Sequence, residues 1–260
     1  MALIRVLDVE TTGLGPEAEV CEVGFCDLVM GTVNAVDRAG SCLVRTGMPM
    51  PPEAQAVHHI SDEDLAEYGL DFPVAWAMML KGGYGSPVRP WEDMAADHLQ
   101  VDVYAAHNAN FERRFIGVQW TGKVPWVDTW RCAMRIWDVP QFDNQYLRYA
   151  LGLAADPTRA APTHAAAPDA YVTALLLAEM LKKHALPDLI AWSAEPPQFP
   201  RLFFGKHKGE KWPAVPVDYL RWMVRTADGG DNPEWPIWQE LANREIRRRQ
   251  SRATSAAVRT

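Results

Sequence analysis

The chain has 260 residues, 48% of them hydrophobic and 23% charged, a composition that supports one sizeable core and a small extra module. No apolar run approaches the roughly 20 residues needed to span a bilayer, and no basic and apolar leader opens the chain, so a cytoplasmic protein without membrane association is expected. The formal net charge of −7 is unevenly divided: from Arg201 onward there are 12 Lys and Arg against 7 Asp and Glu, net +5, which leaves residues 1–200 at net −12. An acidic total therefore does not exclude a nucleic acid, because phosphate contacts need only a local basic surface. The four cysteines, Cys21, Cys26, Cys42 and Cys132, form no C-x-x-C pair and have no His at zinc spacing, so neither a disulfide nor zinc is expected.

Ile4 to Leu14 reads as a buried strand, yet Asp8 and Glu10 interrupt it two residues apart and so share one face. Two like charges on a partly buried face repel each other and lose hydration, and a bound cation is the usual compensation. Oxygen ligands with no His or Cys beside them favour Mg²⁺ or Mn²⁺ over zinc. The competing reading is an edge strand with both carboxylates in solvent.

Glu19 to Met30 is a second strand, and Gly31-Thr32-Val33 is a hairpin turn into a third that ends near Val44. Pro49, Pro51 and Pro52 mark a loop, after which Ser61 to Asp64 is a capping box that opens a short helix toward Leu70. Helix, loop and helix are expected to about Asp97, with Gly82 to Gly85 as a breaker. Val101 to Ala106 reads as a fourth strand, Asn108 to Phe115 turns into a helix, and Val124 to Val127 is a short fifth strand. Helical patterns follow at Trp130 to Trp137 and Asn144 to Leu151. From Pro168 to Lys183 the residues Tyr171, Ala174, Leu175, Ala178 and Leu181 recur at helical spacing, which predicts a long amphipathic helix on the sheet.

Glu195 to Gln198 reads as a linker. The expected domains are 1–195, a linker at 196–200, a small module at 201–243 that is a candidate nucleic-acid contact, and a basic tail at 244–260 that frays into disorder. In the module, Gly205 and Gly209 bracket Lys206 and Lys208 in a turn whose ammonium groups can grip phosphates, without the strand and Ser/Thr of a nucleotide-binding P-loop. Gln198 to Phe203 weakly resembles a sliding-clamp-binding peptide, although core residues of the module are the favoured reading. Trp76, Trp91, Trp120, Trp126, Trp130 and Trp137 are unpatterned and read as packing residues rather than base-stacking ones.

Two further features accompany the opening pair. Ala106 to Phe115 ends a strand and starts a helix with Glu112 on its first turn, and His164 precedes Asp169 by five residues at the start of the long helix. In this order the motifs resemble the DEDD exonuclease superfamily, in its subgroup with a catalytic histidine. The resemblance covers residues 1 to about 185, and further motifs at Val57 to Ser61, around Trp137, at Phe204 to Gly209 and at Asp218 to Trp222 resemble one DNA-degrading branch of it across nearly the whole chain. It implies an α/β fold of ribonuclease H-like architecture: a mixed five-stranded sheet flanked by helices, with a small C-terminal module.

The resemblance also implies 3′-to-5′ exonucleolysis at DNA 3′ ends with two divalent metal ions, Mg²⁺ with Mn²⁺ as substitute. Asp8 would bridge the ions, Glu10 and Asp169 would complete one site, Glu112 would support the other, and His164 would take the proton from the attacking water. Where the family's pattern has Asp, this chain has Glu112, which sets the carboxylate one methylene further out. Thr11, Thr12, Gly13, Leu14, His58, Asn108 and Phe111 are candidate substrate contacts, as are Lys206 and Lys208. Within that set, Leu14 is a wedge against the terminal base and Phe111, with Phe115, is also read as core. The alternatives are an RNA-trimming exonuclease and a weakly active DNA-binding or polymerase-associated subunit.

Overall fold

Strand β1 (Leu3–Thr11) lies in the middle of a five-stranded sheet with order β3-β2-β1-β4-β5. It pairs antiparallel with β2 (Val20–Val29), which pairs antiparallel with β3 (Val36–Leu43). On its other side β1 pairs parallel with β4 (Val103–Ala106), which pairs parallel with β5 (Trp126–Asp128). The sheet is thus mixed, and the edge-strand reading of Asp8 and Glu10 is excluded. The computed structural model describes residues 2–30, 36–80, 100–226 and 235–257. The turn expected at Gly31 to Val33, the breaker at Gly82 to Gly85, Trp91 and the tail beyond Ala257 lie outside the described residues.

Period-two alternation divides the central strands between two faces. Leu7 and Val9 on β1, with Val23 and Phe25 on β2, join Tyr104, Trp76 and Ile116 in a buried cluster. Trp76 comes from α3 (Phe72–Leu80), preceded by α1 (Pro52–His58) and α2 (Asp62–Tyr68); α2 opens on the expected capping box of Ser61 and Asp64. A helix at α1 was not expected, because its prolines read as loop; Pro52 instead takes the first helical position, where its missing N–H is no loss. On the same face the completely buried Arg5 donates twice to Asp27 at 2.8 Å and stacks over Phe25 at 4.5 Å.

The opposite face carries Asp8 and Glu10, and the long helix α8 (Ala166–Leu181) packs across β1, β2 and β3 there. Gly24, paired with Asp8, makes this approach possible: a Cβ at Gly24 would meet the Ala166 carbonyl carbon at 2.3 Å. The stripe expected on α8 is corrected. Leu175, Ala178 and Leu181 are only partly buried, whereas Val172, Thr173, Leu176, Leu177 and Met180 are buried. The reason is that α8 is covered on a second side by α7 (Asn144–Ala150), so it buries most of its circumference instead of one stripe. The other helices are α4 (Asn110–Phe115), α5 (Val118–Thr121), α6 (Thr129–Ile136), α9 (Leu186–Ala194), α10 (Val217–Arg225) and α11 (Trp235–Ala257).

The chain divides into two units, one of Met1–Cys132 with Gln141–Ala194, the other of Ala133–Pro140 with Glu195–Thr260. In the second, Phe199 stacks on Trp238 with centroids 4.1 Å apart, and Leu202, Trp212, Leu220 and Met223 are buried. The apolar residues of the clamp-like peptide therefore belong to this core. The tail expected to be disordered is helical to Ala257 as part of α11. Charge counting hid its pairing: Glu245 is buried and holds Arg248 at 2.6 Å and Arg249 at 2.8 Å, one helical turn on, while Arg249 also donates to the Trp212 and Val215 carbonyls.

Candidate metal centre

The sheet and α8 bring three distant carboxylates together: one oxygen each from Asp8, Glu10 and Asp169 lies within 4.8 Å of the others. Asp8 and Glu10 come from the centre of β1, and Asp169 from the first turn of α8. Both Asp169 oxygens are already oriented, Oδ2 accepting the His164 backbone N–H at 2.8 Å and Oδ1 accepting the Gln145 side-chain amide at 2.9 Å. Asn144 next to it donates to the Asp169 carbonyl at 3.0 Å and to the Thr173 hydroxyl at 2.9 Å, which ties α7 to the start of α8. Neither amide was singled out in the sequence, since their relevance comes only from a helix packing on another.

The electrostatics are strained. Burial, reinforced by Glu112, Asp169, Glu10 and Glu22, pushes the Asp8 carboxyl well above the usual carboxylate range. Burial and the Glu22 and Asp169 carboxylates raise Glu10 to about 8. Asp169 is raised by burial and partly relieved by its hydrogen bonds to Gln145 and His164. A set of acids that cannot all ionise beside one another is a site whose charge a cation would balance, and an all-oxygen donor set suits a hard divalent ion.

Glu112 lies outside this triangle but close enough to be the largest charge acting on Asp8. It is buried at the start of α4, and its Oε2 has no hydrogen-bond partner. A buried carboxylate oxygen left without a donor is unfavourable by about 1–3 kcal/mol or more, and a metal ligand is the group that would satisfy it. Burial also holds the Glu112 carboxyl well above its ordinary range. The residues present therefore fit a divalent metal: Asp8, Glu10 and Asp169 as one ligand cluster, with Glu112 as a further ligand.

Glu22 is a fifth carboxylate that sequence reading missed. It stands across from Glu10 in the β1–β2 register, is buried, and its Oε2 accepts the Ala166 backbone N–H at 2.9 Å. The only signal for it was an acidic residue in a mostly apolar strand, and Asp27 in the same strand offers the same signal while pairing with Arg5.

The remaining candidates separate. His164 is exposed, with φ +58, and is held to the site through its backbone. Leu14 is 77% exposed on a loop whose Leu14 and Gly15 carbonyls accept from Arg114. Thr11 and Thr12 are buried; the Thr11 hydroxyl donates to Gly13 O, and the Thr12 amide donates to Glu19 O at 2.9 Å, so the Thr12 amide is occupied within the turn. His58 is buried at the end of α1 against β2, where Nδ1 accepts from Ile60 N at 3.1 Å and Nε2 lies 3.7 Å from Cys21 Sγ. Burial lowers its pKa. Those bonds make it a link between elements. Asn108 has φ +73 and donates its N–H to Asp128, and Phe111 packs against Phe115 at 5.0 Å and the core. Lys206 and Lys208 are exposed in the second unit. Gly205 and Gly209 around them have φ +66 and +87, the left-handed backbone expected for a glycine-bracketed turn.

Residues 6–79 match the exonuclease family model RNase_T. Over 239 residues the chain is 27% identical to exodeoxyribonuclease 10 of Escherichia coli (strain K12), covering 87% of this chain and 92% of that protein. Among solved structures, exonuclease X in complex with 5′ overhanging duplex DNA matches with TM-score 0.56 and 24% identity, over 74% of this chain and 99% of that one. The nuclease domain of 3′hExo, a DEDDh family member bound to rAMP, matches with TM-score 0.53 and 14% identity, over 69% of this chain and 92% of that one. The chain thus shares the fold of these nuclease structures, its residues 6–79 match an exonuclease family model, and it is similar over most of its length to exodeoxyribonuclease 10.

Proposed function

We propose that the chain is a 3′-to-5′ exodeoxyribonuclease that removes nucleoside 5′-monophosphates from DNA ends by a two-metal-ion mechanism with Mg²⁺, acting in the cytoplasm. The observation that carries this reading is the convergence of Asp8, Glu10 and Asp169 within 4.8 Å beside the partnerless Oε2 of Glu112. Bound there, divalent ions would supply a nucleophile near neutral pH and charge stabilisation on the attacking and leaving oxygens. Asp8, Glu10 and Asp169 would hold the ions together with Glu112.

The chain's own groups do the rest. His164 is the general base that takes the proton of the attacking water, and its exposed position next to Asp169 leaves the imidazole free to reach a 3′ end. Leu14, clamped through its loop by Arg114, packs against the terminal base, and Asn108 borders the same strand. Gln145 and Asn144 keep Asp169 aimed at the centre. Residues 1–195 form the nuclease and 201–243 a nucleic-acid-contacting module in which Lys206 and Lys208 meet phosphates.

The test is hydrolysis of 5′-labelled and 3′-labelled single-stranded DNA and RNA with Mg²⁺, Mn²⁺ or EDTA. The expected result is a ladder shortening from the 3′ end of DNA, with 5′-monophosphates released and no product in EDTA. Products bearing 3′-phosphates, or undiminished cleavage in EDTA, would overturn the mechanism. Faster loss of RNA would make the chain an RNA-trimming enzyme on the same site, a distinction that rests on contacts to one 2′-hydroxyl.

A further inference from the structure

In the second unit several basic residues are already engaged. Arg201 and Lys211 pair with Asp138, Arg247 with Glu240, and Arg248 and Arg249 with Glu245. Among the described residues no ion pair involves Lys206, Lys208 or Arg225, and Arg221 has only the exposed Asp218 at 3.4 Å. Four of the cations in the last 60 residues, Lys206, Lys208, Arg221 and Arg225, therefore lie exposed on the Gly205–Gly209 turn and on α10.

The same two segments carry an aromatic platform. Trp222 is 45% exposed, an unusual placement for the largest side chain in a unit that buries Trp212, Trp235 and Trp238. It is also held in place. Its ring lies 5.0 Å from Tyr219 at an interplanar angle of 38°, and Trp235 braces it edge-on at 6.0 Å. Tyr219 is fixed in turn by His207 at 4.7 Å and by Lys206 Nζ 5.4 Å over its ring. Gly205 admits the tyrosine, because a Cβ there would stand 2.2 Å from the Tyr219 hydroxyl.

On α10, Arg221 precedes Trp222 and Arg225 follows it by one helical turn, an i,i+4 like-charge pair that weakens a helix unless an anion sits between them. One exposed ring is ordinary on a protein surface, but an indole braced by two further rings, with exposed arginines before and after it on the same helix and Lys206 over the adjoining Tyr219, is not.

We propose that this surface binds single-stranded nucleic acid, one base stacking on Trp222 while neighbouring phosphates lie on Arg221, Arg225 and Lys206. A flat, open ring favours a single strand, because a duplex keeps its base faces stacked on one another, whereas cations alone would not discriminate. The proposal rests on the reading of 201–243 as a nucleic-acid-contacting module and deepens it by naming the strand type and the residue that takes a base.

The test uses the full chain with Asp8→Ala, in EDTA, and fluorescence anisotropy of a labelled 20-nucleotide oligothymidylate. Trp222→Ala is expected to weaken binding roughly 5- to 100-fold, the range of one lost base stack, and Trp222→Phe to stay within about 3-fold of the parent. On an abasic strand of equal length Trp222→Ala should make no further difference. Arg221→Gln with Arg225→Gln, which leaves the aromatic packing intact, should lower the slope of log K against log salt by roughly 1.4 on single strands. Unchanged binding by Trp222→Ala, an equal loss on abasic strands, or an equal loss on blunt duplex would each overturn base stacking; the last two would mark the patch as a backbone or protein contact. Hydrolysis of a trinucleotide by the chain with Asp8 intact, in Mg²⁺, tests the exonuclease reading separately.

Discussion

Glu22 faces Glu10 across the β1–β2 pair and at the same time accepts the amide proton of Ala166, the first residue of α8. One carboxylate thus seats the helix that delivers Asp169 and keeps negative charge against a ligand of the metal centre. The two tasks separate by substitution. Glu22→Gln keeps an acceptor for Ala166 but removes the charge that helps raise Glu10, so the Glu10 carboxyl should titrate below about 8 and activity should reach its plateau at lower pH. Glu22→Ala removes the acceptor as well and should cost turnover at every pH. Identical pH profiles for Glu22→Gln and the parent would show that the two charges do not communicate.

Without metal, the acidic centre should make stability fall with rising pH. Glu10 titrates near 4.5 when unfolded and near 8 when folded, so the folded state holds the extra proton between those values. Its contribution is present in full below about 4.5, declines through the window and is gone above about 8; Asp8, Glu112 and Asp169 act in the same direction. The carboxyls lowered by hydrogen bonds, such as Asp64 and Asp138, act in the opposite sense and only in more acid solution. Melting in EDTA should therefore show Tm dropping from pH 5 to pH 8, Mg²⁺ restoring it most at the alkaline end, and Glu10→Gln flattening the profile. Asp8→Ala, Glu10→Ala or Asp169→Ala should melt no lower than the parent in EDTA, yet each should lose at least ~10³-fold in activity. A Tm that rises with pH in EDTA would contradict the electrostatics of the site.

The succession of five strands and the Asp8–Glu10 pair were legible in the sequence because each has a local signature. Asp8 and Glu10 break an apolar run two residues apart, and Ser61 and Asp64 are spaced as a capping box. What escaped notice depends on partners far away in the chain. Glu22 is unremarkable until Ala166, 144 residues later, lies against it, and Gln145 matters only because α7 covers α8. Arg248 and Arg249 looked like a loose basic tail because a charge count ignores the buried Glu245 one turn earlier. The stripe on α8 was misplaced for the same reason, since spacing cannot reveal that a second helix covers the outer side.

Glu112 provides a test of how the site accommodates its longer carboxylate. Its Oε2 is buried and without a donor, so the side chain has no other role to fall back on. Glu112→Gln places an amide where a ligand oxygen is needed and should be as damaging as Asp8→Ala, with weaker metal binding in isothermal titration. Glu112→Asp retracts the carboxylate by one methylene and should keep measurable activity. If glutamine is tolerated, the second ion is held by other groups.

His164 should show the opposite pattern, because its hydrogen bond to the metal centre is made by its backbone. The His164 N–H reaches Asp169 Oδ2 at 2.8 Å, so His164→Ala preserves that hydrogen bond while deleting the base. Turnover should fall ~10² to 10⁴-fold, with metal affinity and DNA binding nearly unchanged. The backbone adds a control, since φ +58 is unfavourable by about 1 kcal/mol for any residue with a Cβ. His164→Gly should therefore be more stable than His164→Ala and equally inactive. A stability gain without recovery of turnover separates the lost imidazole from any distortion of the loop. Loss of metal binding in both variants would instead assign His164 to holding Asp169 rather than to moving a proton.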